Sequence, residues 1–178
     1  MAASIVTRNL SKAYGDSKTL ALDSLSFTIN GGEIYGYLGA NGAGKSTTIR
    51  LLLNFIQPTK GSATIDGLDI VNDSVVVKQH VGYLAGDVAL YPKTTARELL
   101  DYLLALQGGQ DKKYRDELAK RFEAELDKPI GTLSKGNRQK IGVIQALMHR
   151  PDVLILDEPT SGLDPLMQEV FYDALKEA

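Results

Sequence analysis

The sequence predicts an α/β fold: a parallel sheet flanked by helices, with an N-terminal antiparallel β segment and an inserted helical block. Three observations carry this reading. Val153-Leu154-Ile155-Leu156 is an uninterrupted apolar run, the pattern of a parallel strand buried on both faces. Asp66-Gly67 separates the strand-like runs Ser62–Ile65 and Leu68–Val71, a strong signal for an antiparallel hairpin. Between Thr94 and His149 the pattern turns mostly helical before strand and helix return.

The 178 residues suffice for one domain with a hydrophobic core. A hydrophobic share of 43% against 24% charged is the balance of a soluble globular protein. The formal net charge of −2 provides no basic footprint, which argues against nucleic acid as a partner. With no cysteine there is neither a disulfide framework nor a Cys-ligated metal, which fits a reducing cytosol. The N-terminus lacks the pattern of a signal peptide. No window approaches the roughly 18 apolar residues of a membrane span, so a membrane role has to come through a partner.

The elements follow in order. Ile5–Leu10 and Leu20–Ile29 read as strands, the second slipping register between Leu22 and Leu25, and Gly31-Gly32 marks a turn. Ile34–Leu38 is a short apolar run, expected as the strand that opens into a glycine-rich loop. A helix is expected after Lys45, with Ile49, Leu52, Leu53 and Ile56 at helical spacing and Pro58 as its stop. Val81–Leu84 reads as a buried strand. Helical stretches are expected from Thr94 to about Gln107, from Asp111 to Leu126 and from about Gly136 to His149, and a last helix begins at Pro165.

Gly39-Ala40-Asn41-Gly42-Ala43-Gly44-Lys45-Ser46 fits the phosphate-loop pattern G-x-x-x-x-G-K-[ST] without adjustment. Glycines let backbone N–H groups turn inward around phosphate oxygens without Cβ clashes. The following helix offers unpaired N–H donors and the positive end of its dipole. Lys45 is suited to reach the β- and γ-phosphates of ATP, and Ser46 to offer an oxygen to Mg²⁺. Asp157-Glu158 stands at the carboxyl end of Val153–Leu156, the edge where α/β sheets hold ligands. Asp157 is expected to hold Mg²⁺ and Glu158 to polarise the attacking water as general base, although acidic residues at strand ends also serve as plain caps. Two strand ends of one parallel sheet, one carrying the phosphate loop and one the carboxylates, are expected to converge.

Leu133-Ser134-Lys135-Gly136-Asn137 stands shortly before the carboxylate strand and resembles the Leu-Ser-Gly-Gly-Gln signature of the ATP-binding cassette family. With the phosphate loop and the carboxylates, the resemblance covers nearly the whole chain. It implies a P-loop NTPase core with an N-terminal antiparallel β subdomain and a helical signature subdomain. The chain is then one cassette domain over 1–178, incomplete at its C-terminus. Residues 1–86 and 151–178 make the nucleotide-binding core, and residues 87–150 the helical subdomain. The resemblance implies ATP and Mg²⁺ as cofactors and a homodimer or paired ATPase subunit. In that pair Ser134, Gly136 and Asn137 meet the nucleotide of the other subunit; read without the family, Ser134 is a helix N-cap. Asp164, in Ser161-Gly162-Leu163-Asp164, matches the D-loop across that interface and also suits a cap before Pro165. Tyr14 stands where the family places an aromatic ring against adenine, and Gly39, Asn41, Gly42, Ala43, Gly44, Lys45, Ser46 and Thr47 are the further ATP-binding residues.

Lysine at position 135, with Leu90-Tyr91-Pro92 and Ser161–Leu166, resembles the ABC-2-type exporter subgroup of prokaryotes. This implies a transmembrane permease as partner, met near residues 85–95, and a cytoplasmic location on the inner face of the membrane. Two places depart from the family pattern. Gly86 and Asp87 stand where the family has a glutamine, leaving open whether Asp87, a water or neither serves the metal. The family's switch histidine lies beyond Ala178; His80 and His149 lie elsewhere, His149 near a helix end in a structural role. The resemblance implies an ATPase. A nucleotide-binding module without turnover and a soluble non-transport relative are the alternatives.

Overall fold

A computed structural model of the chain describes residues 5–15, 19–86, 91–108 and 111–178. They form two compact units, Met1–His80 and Val81–Ala178. This is a division by packing, and it leaves the functional grouping of residues 1–86 with 151–178 a proposal.

In the first unit β1 (Ile5–Ala13), β2 (Leu20–Ile29), β3 (Lys60–Ile65) and β4 (Leu68–Asp69) form an antiparallel sheet in the order β2-β1-β3-β4. The register slip expected in the second strand is present as irregular pairing between β1 and β2, with Asn9 and Ser24 at φ 49° and 48°. A bulge inserts an unpaired residue and bends the strand, and it tolerates such left-handed backbone. The hairpin at Asp66-Gly67 closes as expected, Ile65 opposite Leu68, with both turn residues at positive φ. Helix α1 (Lys45–Leu52) buries Thr48, Leu51 and Leu52. It ends a turn earlier than Pro58 suggests, because Asn54 takes φ 51° and Phe55 N–H returns to the Arg50 carbonyl. Helix α2 (Ser74–His80) has no counterpart in the sequence reading.

Ile34–Leu38 is not a strand. A strand persists only where its backbone N–H and C=O groups find a lateral partner, and none of the described ladders includes this run. Ile34 and Leu38 are 81% and 92% exposed. The segment is anchored instead by its aromatic rings, with Tyr35 stacked on Phe27 at 5.6 Å and Tyr37 tilted against it at 6.1 Å. The expected convergence of two strand ends in one parallel sheet therefore has no basis among the described strands.

In the second unit β5 (Val81–Leu84) and β6 (Val153–Leu156) pair in parallel, Val81 opposite Val153 and Leu84 opposite Leu156. Around them pack α3 (Ala96–Leu106), α4 (Lys112–Arg121), α5 (Lys135–Leu147) and α6 (Pro165–Glu177), with a 3₁₀ turn at Ile130–Thr132. Of β6 only Ile155 is buried. The run expected to be covered on both faces is half-buried at Val153, Leu154 and Leu156, since β5 is its single neighbour among the described strands. The core combines Phe122, Phe171, Leu100, Leu104, Ile141 and Ile144 with their neighbours. Each long helix starts on a side chain that accepts an otherwise unpaired N–H. Thr95 makes a reciprocal capping box with Glu98, and Asp111, Ser134 and Asp164 cap α4, α5 and α6. At Gly82 an added Cβ would meet the Ala146 carbonyl at 2.1 Å, so only glycine lets β5 approach α5 this closely.

Candidate functional site

The phosphate loop lies in the first unit, between the aromatic anchor at Tyr37 and helix α1. Its turns depend on glycine at two positions. Gly42 and Gly44 have φ 84° and 87°, and a Cβ on Gly44 would stand 2.7 Å from the Ala21 carbonyl. Ala43 N–H closes the loop on the Ala40 carbonyl at 3.1 Å. Lys45 folds back over the loop, its Nζ donating to the carbonyls of Gly39 at 2.5 Å and Ala40 at 3.0 Å. The ammonium is thus held against the first two residues of the loop. The first turn of α1 holds no acidic side chain that would compete with an anion for its N–H groups and dipole. Thr48 Oγ1 donates to the Gly44 carbonyl at 3.0 Å and pins the helix to the loop, with the Tyr37 hydroxyl 3.2 Å away.

Tyr14 stands at the side of this turn. It is 44% exposed, its hydroxyl lies 3.5 Å from Thr47 Oγ1, and Lys12 Nζ sits 5.5 Å from its ring centre. The structure therefore brings Tyr14, Thr47 and the loop 39–46 together in one unit, with an aromatic face available to a flat base.

The carboxylates lie in the second unit at the carboxyl end of β6. Asp157 N–H continues the parallel ladder to the Leu84 carbonyl at 2.9 Å. Glu158 is exposed and has φ 48°. A non-glycine residue held in this left-handed region costs on the order of 1–3 kcal/mol, and such strain gathers at functional positions. Its carbonyl accepts Ser161 N–H at 3.0 Å. Asp157 supplies hard carboxylate oxygens. Among the described residues no cluster of three His, Asp or Glu side chains is present. A carboxylate oxygen is the donor type that Mg²⁺ takes, and Mg²⁺ keeps its waters and needs only one or two protein oxygens beside phosphate. Gly86 follows β5 and faces Asp157, whereas Asp87 and Leu90 lie outside the described residues.

Ser134 and Asp164 both act as helix caps. Ser134 Oγ accepts Asn137 N–H at 3.1 Å, and Asp164 Oδ1 accepts Met167 N–H at 3.0 Å. Capping leaves each oxygen at a helix N-terminus, where an anion is favoured. Both border a shallow depression of about 380 Å³ with Gly136, Asn137, Gly162 and Leu163. Asn137 Oδ1 is engaged within the chain, accepting Glu125 N–H at 3.1 Å, which sequence reasoning did not anticipate. Gln139 was missed as well. It is buried, and its Nε2 donates to the Pro159 carbonyl at 3.0 Å. The signal for it was a polar residue on the apolar face of α5. His149 is tied to the Val81 carbonyl through Nε2 at 3.3 Å. Burial pushes its pKa below the ordinary value, so it serves as a neutral structural group and not as the helix-end cation that its position suggests.

Of the expected partner surface, Tyr91 is 68% exposed and Pro92 is exposed beside it. No described helix is long and apolar enough to cross a membrane.

A chain with this loop, these carboxylates and this fold has the architecture of an ATP-binding cassette. Its neighbours among solved structures agree. An ATP-binding subunit of an ABC transporter superposes with a TM-score of 0.89 at 28% identity, over 97% of this chain and 73% of that one. The dimeric bacterial ABC transporter cassette MJ0796 gives 0.86 at 27% identity, over 97% and 82%. The model of the ABC transporter family matches residues 22–161, and the chain belongs to that family. Among its relatives, the ABC transporter ATP-binding protein NatA of Bacillus subtilis is 37% identical over 97% of this chain and 74% of its own length. The bacitracin transport ATP-binding protein BcrA of Bacillus licheniformis is 38% identical over 99% and 59%. The chain thus spans about three-fifths to three-quarters of these two relatives. ATP-binding domains of this family bind and generally hydrolyse ATP, and its ATP-binding subunits pair with transmembrane permeases.

Proposed function

We propose that this chain binds Mg-ATP and hydrolyses it as the nucleotide-binding subunit of a bacterial exporter, working as a dimer against a separate permease on the inner face of the membrane. The observation that carries the proposal is the phosphate loop, with its two left-handed glycines and Lys45 folded back onto the Gly39 and Ala40 carbonyls, ahead of a helix whose first turn has no acidic residue. In this reading Gly39–Thr47 cradle the phosphates and Tyr14 stacks on adenine. Ser46 and Asp157 hold Mg²⁺. Glu158 orients and deprotonates the attacking water, its strained backbone aiming the carboxylate. Ser134, Gly136, Asn137 and Asp164 face the second subunit's nucleotide. Transport relatives such as BcrA support the coupling to a permease, with Tyr91 in the contact.

A nucleotide-binding module without turnover is the second reading, favoured by the absence of a side chain at Gly86 beside Asp157. Two variants separate the readings. Lys45→Ala should abolish ATP binding, and Glu158→Gln should keep binding while phosphate release falls at least about 100-fold. Equal phosphate release by wild type and Glu158→Gln would leave only the binding module.

A further inference from the structure

We propose that Lys135 is a positioning residue that fastens the loop Ser161–Gly162 to the first turn of α5, setting how Ser134 and Asp164 stand toward nucleotide. The proposal rests on the functional reading above. Lys135 occupies a signature position where the family resemblance calls for glycine, and a glycine there could make neither of the following contacts. Lys135 Nζ donates to Ser161 Oγ at 3.2 Å. Its stem lies across Gly162, since a Cβ built on Gly162 would stand 3.4 to 3.6 Å from Lys135 Cγ, Cδ and Cε.

Two further contacts from the same helix end reach the same loop. Gly136 lies so near the Gly162 carbonyl that a Cβ on it would come within 2.7 Å. One turn on, the buried Gln139 donates to the Pro159 carbonyl at 3.0 Å and reaches the Glu158 carbonyl at 3.5 Å. Residues 135, 136 and 139 share one side of α5, by helical spacing. The backbone of Glu158–Gly162 is therefore held to the signature helix at three points, and the outermost is Lys135. Gly162 has φ 81° and offers no side chain, so the lysine stem and its hydrogen bond add a side-chain restraint there, beside the buried Leu163 and its N–H bond to the Thr160 carbonyl at 3.1 Å. Lys135 is exposed, so its loss costs little stability. Its effect belongs to loop order and turnover.

The test uses the full-length protein as encoded, with Lys135→Ala, Lys135→Arg, Ser161→Ala and the Lys135→Ala/Ser161→Ala pair. Steady-state ATPase, ATP affinity, melting temperature and amide hydrogen exchange of residues 158–164 are measured for each. Lys135→Ala should lower kcat about three- to tenfold and speed exchange across 158–164. KM, ATP affinity and melting temperature should stay at wild-type values. Lys135→Arg should restore both kcat and protection, and the double variant should be no worse than the worse single. Wild-type kcat and exchange in Lys135→Ala would overturn the proposal, as would single losses that multiply in the pair. Should the wild type bind ATP without turnover, the enzymatic reading fails and exchange alone decides. Faster exchange in Lys135→Ala then supports the latch, and unchanged exchange overturns it.

Discussion

Gly86 faces the carboxylate of Asp157: a Cβ on Gly86 would stand 3.4 Å from both Cγ and Oδ2 of that residue. The parallel register of β5 and β6, with Leu84 opposite Leu156, brings the two loops level. Any side chain at position 86 would therefore touch the group proposed to hold Mg²⁺. Its backbone φ is not positive, so a larger residue meets no conformational penalty. Gly86→Gln should fold with stability within about 0.5 kcal/mol of wild type. It should lower the Mg²⁺ concentration that half-saturates turnover. A Mg²⁺ titration of phosphate release checks this, and an unchanged curve would detach position 86 from the metal.

Gly44 and Lys45 are neighbours with opposite requirements. Alanine at 44 has to accept φ 87° and a Cβ 2.7 Å from the Ala21 carbonyl. Gly44→Ala should cost about 2–4 kcal/mol, measured by denaturant unfolding, and should lose ATP binding with it. Lys45→Ala removes only an ammonium resting on exposed carbonyls. It should leave stability within about 1 kcal/mol while ATP affinity collapses. Equal stability losses in the two variants would mean that the loop is held by Lys45 more than by its glycines.

The contrast explains what was legible beforehand. The phosphate loop is local chemistry: glycines for positive φ, then a helix start, all within eight consecutive residues, and Gly42 and Gly44 do sit at positive φ. Caps are local too, which is why Ser134, Asp164 and the helices behind them could be placed from sequence. Strand formation at Ile34–Leu38 was not legible, because an apolar run is a strand only if a distant segment supplies its hydrogen bonds. Tyr35 and Tyr37 found Phe27 instead. Helix α2 was hidden by Val75-Val76-Val77, a β-branched run of low helix propensity, of which only Val77 is buried in the helix. The tie from Gln139 to the Pro159 carbonyl joins residues far apart in sequence, and no local pattern announces it.

Two ion pairs of the helical unit differ in what their loss exposes. Arg115 is buried, with Nη1 on Asp101 Oδ1 at 2.6 Å, and Lys112 also reaches Asp101 at 2.9 Å. Asp101→Asn leaves an amide oxygen for Nη1 but removes the negative charge beside a buried guanidinium, whose Nε lies 2.8 Å from Asp116, so a loss of about 2 kcal/mol is expected. Arg97 and Asp127 make a bidentate pair at 2.6 and 3.1 Å, yet both side chains face water. Asp127→Asn should leave the melting temperature almost unchanged, and added salt should not alter that. Thermal melts of the two variants side by side decide the point.

His149 makes stability depend on pH near neutrality. Burial lowers its pKa from the ordinary 6.5, and the Val81 carbonyl opposes this only in part. In the unfolded chain the imidazole takes up its proton near 6.5, whereas in the folded chain it resists until a lower pH. Between those values the unfolded state binds more protons, so acid favours unfolding. The stabilisation is complete above about pH 6.5. It is lost as pH falls through the depressed folded value. Unfolding curves at several pH values from above neutrality into mild acid should show stability falling as pH drops. His149→Gln, which keeps a donor for the Val81 carbonyl and cannot titrate, should flatten that slope. A slope that persists undiminished in His149→Gln would assign the pH dependence to other groups.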